Sequence, residues 1–370
     1  MKINLDEFNK RVESGHIRKQ TLDHLTIWNY THKTQFDRAW DEYTTLARGL
    51  ITEPDGKIHS RSFKKFFNLG EPGVVLPENE TPEITLKMDG YLGLTYWHDG
   101  IVKVASRGSF QSEFARWATE WLRVHVPKPD KRFDPEFTYV FEILYPHKRI
   151  VVDNSGKYGL VLLAIIHNRT GEEVDRDFML DLMYHNGTTV VPLVPVRPSQ
   201  TIDDCVALSK ALKGTECEGF IAHYRKSGIR VKIKGDDYCR IHRLATRLTS
   251  RMLWEILSST PDEFEADQKI AEIVGILPPE YGKWVRDKSE QLRMDHDEIC
   301  KAVARIVLAI DFNRIVDRKA QVEYAQKPEN TRLFHLVMSF LSGNGKWDQM
   351  AWKMGRPEHE FPILRDGEDE

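Results

Sequence analysis

The run Ile229-Arg230-Val231-Lys232-Ile233-Lys234 alternates apolar and cationic residues. In an extended chain, side chains two apart share a face, so the three cations stand at intervals of about 7 Å opposite three β-branched residues. Like charges in a row repel one another. A phosphate polyanion turns that repulsion into attraction, although a solvated outer strand face would also tolerate it. Ile84 to Asp89 follows the same grammar, with Ile84, Leu86 and Met88 toward a core and Thr85, Lys87 and Asp89 opposite, and it stops at Gly90. Two carboxylates accompany these lysines. Glu142 lies among apolar neighbours in Val140-Phe141-Glu142-Ile143-Leu144, where a charge is costly without a hydrogen-bond or ionic partner. Glu218-Gly219 opens a further strand, and its glycine permits close approach of a ligand or another backbone. A buried salt bridge at Glu142 and a plain edge-strand start at Glu218 are the bland alternatives.

The elements that must carry these residues are short strands from about Glu83 to Lys234. EITLKM, GLTYW, IVKVAS, TYVFEILY, RIVVD, GLVLLAII, EGFIAHY and IRVKIK all read as strands, with Asp99-Gly100 as a hairpin turn. QSEFARWATEWLRVH has helical spacing, with Phe114, Trp117, Ala118 and Trp121 on one side. After about Arg240 the pattern becomes helical almost throughout. The expected fold class is α+β, with largely antiparallel sheets and flanking helices in residues 1–242 and an all-helical domain in 243–370. The charged, proline-containing tail from Arg356 is expected to be loosely held. Aromatics at helical spacing (Trp117, Trp121, Trp254, Phe340) read as core, and His59, His98 and His147 as scattered surface residues.

With 370 residues, 41% of them apolar and 29% charged, the chain can bury two cores of ordinary size. The net charge of −3 excludes a polycation, so a nucleic acid would have to be held by local basic surface. Arg240, His242, Arg243, Arg247 and Arg251 could form such a surface or a solvated helix face. Cys205, Cys217, Cys239 and Cys300 show no zinc or disulfide spacing. A reducing, cytoplasmic setting is expected, with no membrane role, because no apolar run is long enough to span a bilayer.

Lys87-Met88-Asp89-Gly90, Phe141-Glu142, Glu218-Gly219 and Lys232-Ile233-Lys234 resemble, in order and spacing, the motifs of the covalent nucleotidyltransferases, which include polynucleotide ligases and mRNA capping enzymes. Upstream, Ala47-Arg48-Gly49, Ser60-Arg61 and Lys65-Phe66-Phe67-Asn68-Leu69 narrow the likeness to the RNA ligase 1 family, typified by the phage T4 enzyme. The resemblance spans roughly residues 25 to 242. The helical remainder is similar only in general character, and no oligonucleotide-binding barrel is suggested.

That resemblance implies an ATP-dependent enzyme joining 5′-phosphate and 3′-hydroxyl RNA ends, in RNA (tRNA) repair, through a lysine-AMP intermediate and an RNA-adenylate. Lys87 would be the nucleophile. Its amine must lose the proton it ordinarily carries up to a pKa of about 10.4, helped by Lys232, Lys234 and Mg²⁺ or Mn²⁺. The implied ATP-binding set is Tyr30, Arg48, Lys65, Phe67, Asp89, Gly90, Arg107, Glu142, Glu218, Lys232 and Lys234. Glu218 and Glu142 would also serve the metal, through water. RNA is the implied partner, no protein partner is indicated, and a monomer is expected. The helical domain would set substrate choice. Two positions depart from the family pattern: Tyr91 stands where serine is usual, and Arg107 where lysine is frequent. A DNA ligase, a capping nucleotidyltransferase and a non-catalytic RNA-binding protein are the alternatives, and the intact lysine and glutamate set argues against the last.

Overall fold

A computed structural model describes residues 2–154, 156–185, 192–197, 200–343 and 345–362. Contacts divide the chain into two compact units, Met1–His242 and Arg243–Arg365. Among the described residues the strands are β1 (Ile17–Leu22), β2 (Leu25–Tyr30), β3 (Arg48–Thr52), β4 (Ile58–Ser60), β5 (Phe67–Asn68), β6 (Glu83–Leu86), β7 (Tyr91–His98), β8 (Ile101–Ser106), β9 (Phe137–Leu144), β10 (Gly159–His167), β11 (Gly219–Tyr224) and β12 (Ile229–Lys234). They form three four-stranded sheets, ordered β1-β2-β3-β4, β10-β9-β7-β8 and β5-β12-β11-β6. Among these strands only the short β5–β12 pairing is parallel, with one isolated parallel bridge between Leu162 and Leu193. The first unit is thus α+β and largely antiparallel.

The second sheet shows how local sequence builds the frame. Asp99 and Gly100 both take positive φ, 52° and 72°, the geometry that a two-residue hairpin needs to match strand twist, and they set His98 opposite Ile101. The helix Glu113–His125 starts where the Ser112 side chain accepts from Ala115 N–H, a capping bond. Its residues Phe114, Ala118 and Leu122, four apart, bury against Val104, Phe141, Ile143 and Leu162 of the sheet. Trp117 and Trp121 flank that contact, partly buried.

The first sheet has little sequence signature. In β1, IRKQTL, only Ile17 is fully buried, so the alternation that marks a strand is faint. Its core of Phe8, Ile17, Trp28, Leu50 and Ile58 assembles from five separated segments.

RIVVD is not a strand. Its Val151 and Val152 N–H groups both donate to Asp89 Oδ2, at 2.8 and 2.7 Å, while the Tyr238 hydroxyl donates to Oδ1 at 2.7 Å. Asp89 is 5% exposed, and the two-residue alternation from Ile84 therefore fails after Leu86. There the chain leaves the third sheet and turns into the second. Lys87 N–H still bonds Gly219 O at 2.9 Å, Asp89 pins the loop, and Gly90 passes under β9. A Cβ on Gly90 would lie 2.5 Å from Ile143 O, so a strand, not a ligand, demands glycine there.

The second unit is helical: Ser250–Ser259, Glu263–Ile276, the long Pro279–Phe312, Arg318–Ala325, Phe334–Leu341 and Trp347–Met354. Two cores hold it, one around Leu253, Leu257, Val285 and Leu292, the other around Val303, Ile306, Leu336 and Val337. Trp254 packs beside the first, whereas Phe340 is 39% exposed and sits edge-on to Trp347. The described part of the tail is tied down: Ser250 Oγ donates to Glu358 O, Ser250 N–H to Glu360 O, and Lys288 pairs with Glu360. The last eight residues lie outside the described ones. His98 is buried rather than on the surface. No helix among the described residues is long and apolar enough to cross a membrane.

Asp89→Ala removes the acceptor of three donors and is expected to destabilise by about 2–4 kcal/mol. The thermal midpoint should fall, and the Val151 and Val152 amides should exchange faster with solvent. Unchanged protection of those two amides would refute the pinning role.

Candidate active site

β11 runs antiparallel to both neighbours, with Phe220 opposite Leu86 and Gly219 opposite Lys234. Glu218, the residue before β11, therefore falls between the residue after β6 and the end of β12. Its carboxylate is divided between them: Oε2 to Lys87 Nζ at 2.6 Å and Oε1 to Lys234 Nζ at 2.9 Å. Gly219 allows this, since a Cβ there would lie 2.1 Å from Ile233 O; the close approach is by backbone. Glu218 is 2% exposed. Burial disfavours its charge, but Lys87 and Lys234 outweigh that cost and hold its pKa below the usual carboxylate range.

Above this clamp opens a cleft of about 390 Å³, lined by Lys87, Glu142, Lys232, Lys234, Arg48, Tyr30, Lys65, Arg107 and Gly90 among others. Burial works to strip Lys87 of its proton, but Glu218 and then Glu142 prevail, so its pKa is raised. In the free chain the lysine is thus held protonated, opposite to what Lys232 and Lys234 were expected to achieve. Three carboxylates stand nearer in effect than the cations.

Glu142 extends from β9 to accept Gly90 N–H at Oε1, 3.1 Å, leaving its other oxygen to the cleft. Burial first, with Glu218 adding to it, pushes its pKa up to about 7 against the opposing pull of Lys87 and Arg48. A carboxyl raised in this way is one that an arriving cation stabilises. It fits a divalent ion, directly or through water. Glu218 fits less well, because both of its oxygens are committed to ammonium groups.

The cationic face of β12 is not uniform. Arg230 forms a two-pronged pair with Glu173, and Lys234 has Glu218. Lys232 has no carboxylate within ion-pair distance among the described residues; its ammonium lies 4.9 Å from the Phe66 ring centre. Burial, then Lys65 and Arg48, push its pKa well below normal. Lys65 sits among the rings of Tyr30, Trp40 and Phe67 at 5.4, 5.1 and 5.5 Å, and burial lowers its pKa too. Arg48, opposite Asn29 on β2, is lowered chiefly by burial and donates to Ser62 Oγ at 3.3 Å. Burial raises the Tyr30 hydroxyl, but Arg107, Arg48 and Lys65 bring it below its ordinary value. Arg107 Nη1 is 3.5 Å from that oxygen. Phosphate would relieve this surplus of positive charge.

Two expected ligand residues lie outside the lining of this cleft. Asp89 spends both oxygens on the loop and Tyr238. Phe67 lies outside the cleft lining and packs edge-on against Trp40 at 5.5 Å; Phe66 and Phe63 line the cleft in its place. Adjacent residues of an extended segment face opposite ways, and the sequence does not say which ring faces in. Tyr91 stacks on Phe114 at 3.8 Å, so the ring that replaces the usual serine extends the hydrophobic core. Glu173 carried no signal, being one acid in a hydrophilic loop, and only tertiary contact brings it to Arg230. On the helix Asp236–Arg247, Arg240 is paired with Asp237 while Arg243 and Arg247 are exposed; Arg251 belongs to the next helix.

Three sheets converge on a lysine-rich cleft beside the carboxylate clamp. The chain belongs to the RNA ligase family: the family model described as RNA ligase, of the T4 type 1 kind, matches residues 46–238, just over half of the chain. An RNA ligase of Rhodothermus phage RM378 is 23% identical over 359 residues, covering 76% of this chain and 78% of that one. A protein of Autographa californica nuclear polyhedrosis virus, provisionally named bifunctional polynucleotide kinase/RNA ligase, is 25% identical over 278 residues; the match takes in 68% of this chain but 38% of the viral one. Among solved structures, an archaeal ATP-dependent RNA ligase aligns over 78% of this chain and 76% of its own, with 13% identity and a TM-score of 0.45.

The raised pKa of Glu142 makes a pH prediction. A carboxyl that binds its proton more tightly when folded costs stability as pH rises from its unfolded value of about 4.3 through 7. Glu142→Gln should therefore be more stable than the wild type by about 3 kcal/mol at pH 8, the difference vanishing near pH 4. A parallel pair of stability–pH curves would contradict the assignment.

Proposed function

We propose that this chain seals a 5′-phosphate RNA end to a 3′-hydroxyl RNA end, using ATP and a covalent lysine-AMP intermediate. The observation that carries the reading is the place of Lys87: at a sheet corner, its backbone bonded to Gly219, its amine facing a cleft with uncompensated cations. Once Lys87 Nζ has lost its proton, it attacks the α-phosphorus of ATP. An N–P bond forms, and the P–O bond to the β-phosphate breaks and releases pyrophosphate. AMP then passes to the RNA 5′-phosphate, and the 3′-hydroxyl oxygen displaces it as the phosphodiester forms.

Lys232 and Lys234 oppose the Lys87 proton and meet the negative charge that builds on the phosphates. Arg48, Lys65 and Arg107 draw the phosphate chain into the cleft, and Tyr30 holds them in place from behind. Gly90 fixes the approach of β9, and through it the carboxylate of Glu142. A divalent cation, Mg²⁺ or Mn²⁺, would supply further charge neutralisation when bound, with Glu142 the carboxylate best placed to hold it. Glu218 positions the two lysines.

The reading extends to repair of broken RNA, tRNA included, on the family resemblance. The helical unit would choose among RNAs. The four free thiols suit a reducing compartment such as the cytoplasm, and the chain is taken to act as a monomer.

The test mixes the full chain with Mg²⁺ and ATP labelled at the α-phosphate, and looks for label that survives denaturation. Wild type should be labelled and Lys87→Ala should not; equal labelling of the two would end the covalent reading. Chasing the adduct with 5′-phosphorylated RNA or DNA separates an RNA ligase from a DNA ligase, and labelling by GTP instead of ATP would indicate capping chemistry.

Lys232→Met gives a second, opposed pair of outcomes. Removing a half-buried, unpaired ammonium should raise the thermal midpoint, while labelling falls by at least about 100-fold, the loss expected when transition-state charge stabilisation is removed. A variant that is less stable and still active would reverse both assignments.

A further inference from the structure

The helical unit carries a cluster that the RNA-sealing reading does not use. His296 and Cys300 lie four residues apart on the helix Pro279–Phe312, one turn and one face. The helix Trp347–Met354 brings Asp348 to the same point. Cys300 Sγ is 3.5 Å from His296 Nε2, and Asp348 Oδ1 is 3.1 Å from that same nitrogen. The three donor atoms lie within 4.8 Å of one another.

Those spacings can be compared with what a metal would impose. With zinc–sulfur at about 2.3 Å and zinc–nitrogen or –oxygen near 2.0–2.1 Å, a tetrahedral site has S···N edges of about 3.5 Å and N···O edges of about 3.3 Å. The two edges that meet at His296 Nε2 match to about 0.2 Å, and the third, from Cys300 Sγ to the Asp348 carboxylate, is no longer than 4.8 Å. Thiolate, imidazole and carboxylate together suit a borderline-soft divalent ion such as zinc, and not magnesium. The surroundings also orient the ligand. His296 stacks on Trp352 at 4.2 Å with 13° between the rings, and Trp352 is itself held by Trp254 Nε1–H donating to its carbonyl at 2.9 Å. Asp297 Oδ1 lies 4.0 Å from His296 Nδ1, within reach of a partner that fixes the ring after small adjustment. Asp348 is half exposed, so the fourth position opens to water.

We propose that His296, Cys300 and Asp348 form a zinc site that staples the helix Trp347–Met354 to the helix Pro279–Phe312. Loading it displaces the Cys300 thiol proton to solvent and forms a metal–sulfur bond without any redox change. The sequence hid this site because the ligands come from distant segments, and because a cysteine four residues from a histidine is not a spacing by which zinc motifs are recognised. The inference is independent of the ligase reading, which concerns the other unit.

The test titrates the full chain, stripped by chelator, with Co²⁺ and with Zn²⁺. Co²⁺ should produce a thiolate charge-transfer band in the near ultraviolet at about one equivalent, and Zn²⁺ should displace it and raise the thermal midpoint. Cys300→Ser and Asp348→Asn should lose both responses, whereas Cys239→Ser, on another helix, should keep them. Asp348→Asn is near-isosteric and half exposed, so its loss of metal response should come without loss of the metal-free fold. Absence of the band, or a band undiminished in Cys300→Ser, would show that the cluster is held only by hydrogen bonds. ATP labelling of the same preparations separates failure here from failure of the ligase reading.

Discussion

The first unit turns on one carboxylate shared between two ammonium groups. Glu218 can hold Lys87 and Lys234 together because β11 is the strand between β6 and β12, antiparallel to both, so its leading residue meets the trailing ends of its neighbours. Nearly complete burial of the carboxylate makes the arrangement all-or-none. Removing either lysine leaves charge in a poor solvent, and removing the glutamate leaves two cations facing each other. The same clamp holds the would-be nucleophile protonated in the free chain. Under the proposed covalent mechanism, Lys87 would have to be released from this clamp before its amine could attack.

Around the clamp, charge is deliberately unbalanced. Arg230 is answered by Glu173 and Lys234 by Glu218, yet Lys232, Lys65 and Arg48 face the cleft without carboxylates among the described residues. Burial lowers the pKa of all three. Such a surplus is a stability cost of the kind that binding sites carry. Aromatic faces offset part of it: Lys65 among three rings and Lys232 over Phe66 gain cation–π attraction without the neutralisation that a carboxylate would bring. Aromatic rings, rather than carboxylates, thus surround these cations.

The Lys-x-Asp-Gly stretch takes on a different meaning in this setting. Of its four residues, Lys87 turns its amine to the Glu218 clamp at the cleft. Asp89 and Gly90 make the corner: one pins the 151–152 loop and Tyr238, the other lets β9 pass within van der Waals limits and thereby delivers Glu142 beside Lys87. A motif that reads as a nucleotide-binding signature is in large part the hinge between two sheets. The geometry of the cleft and the geometry of the fold are set by the same few atoms.

Much of this was legible in the sequence, and the reason is physical. Period-two alternation in IRVKIK, the Asp99-Gly100 turn, the helix over Glu113–His125 and the change of texture near residue 240 are local properties, encoded by neighbours within a few positions. The order of the lysine and glutamate motifs carried the family. The chain alone could not say which cation would be paired, which phenylalanine of Phe66-Phe67 would face inward, or that RIVVD would be a loop held by Asp89, because each depends on partners outside its own segment, 57 residues away for Arg230 and Glu173 and 62 and 63 for Asp89 and the loop. The weakly patterned first sheet escaped notice for the same reason, its core being assembled from scattered segments. The sequence by itself determined the class of element at each motif and the residues that could do chemistry. Tertiary structure alone decided their protonation and pairing, since burial and charge proximity exist only once distant strands meet.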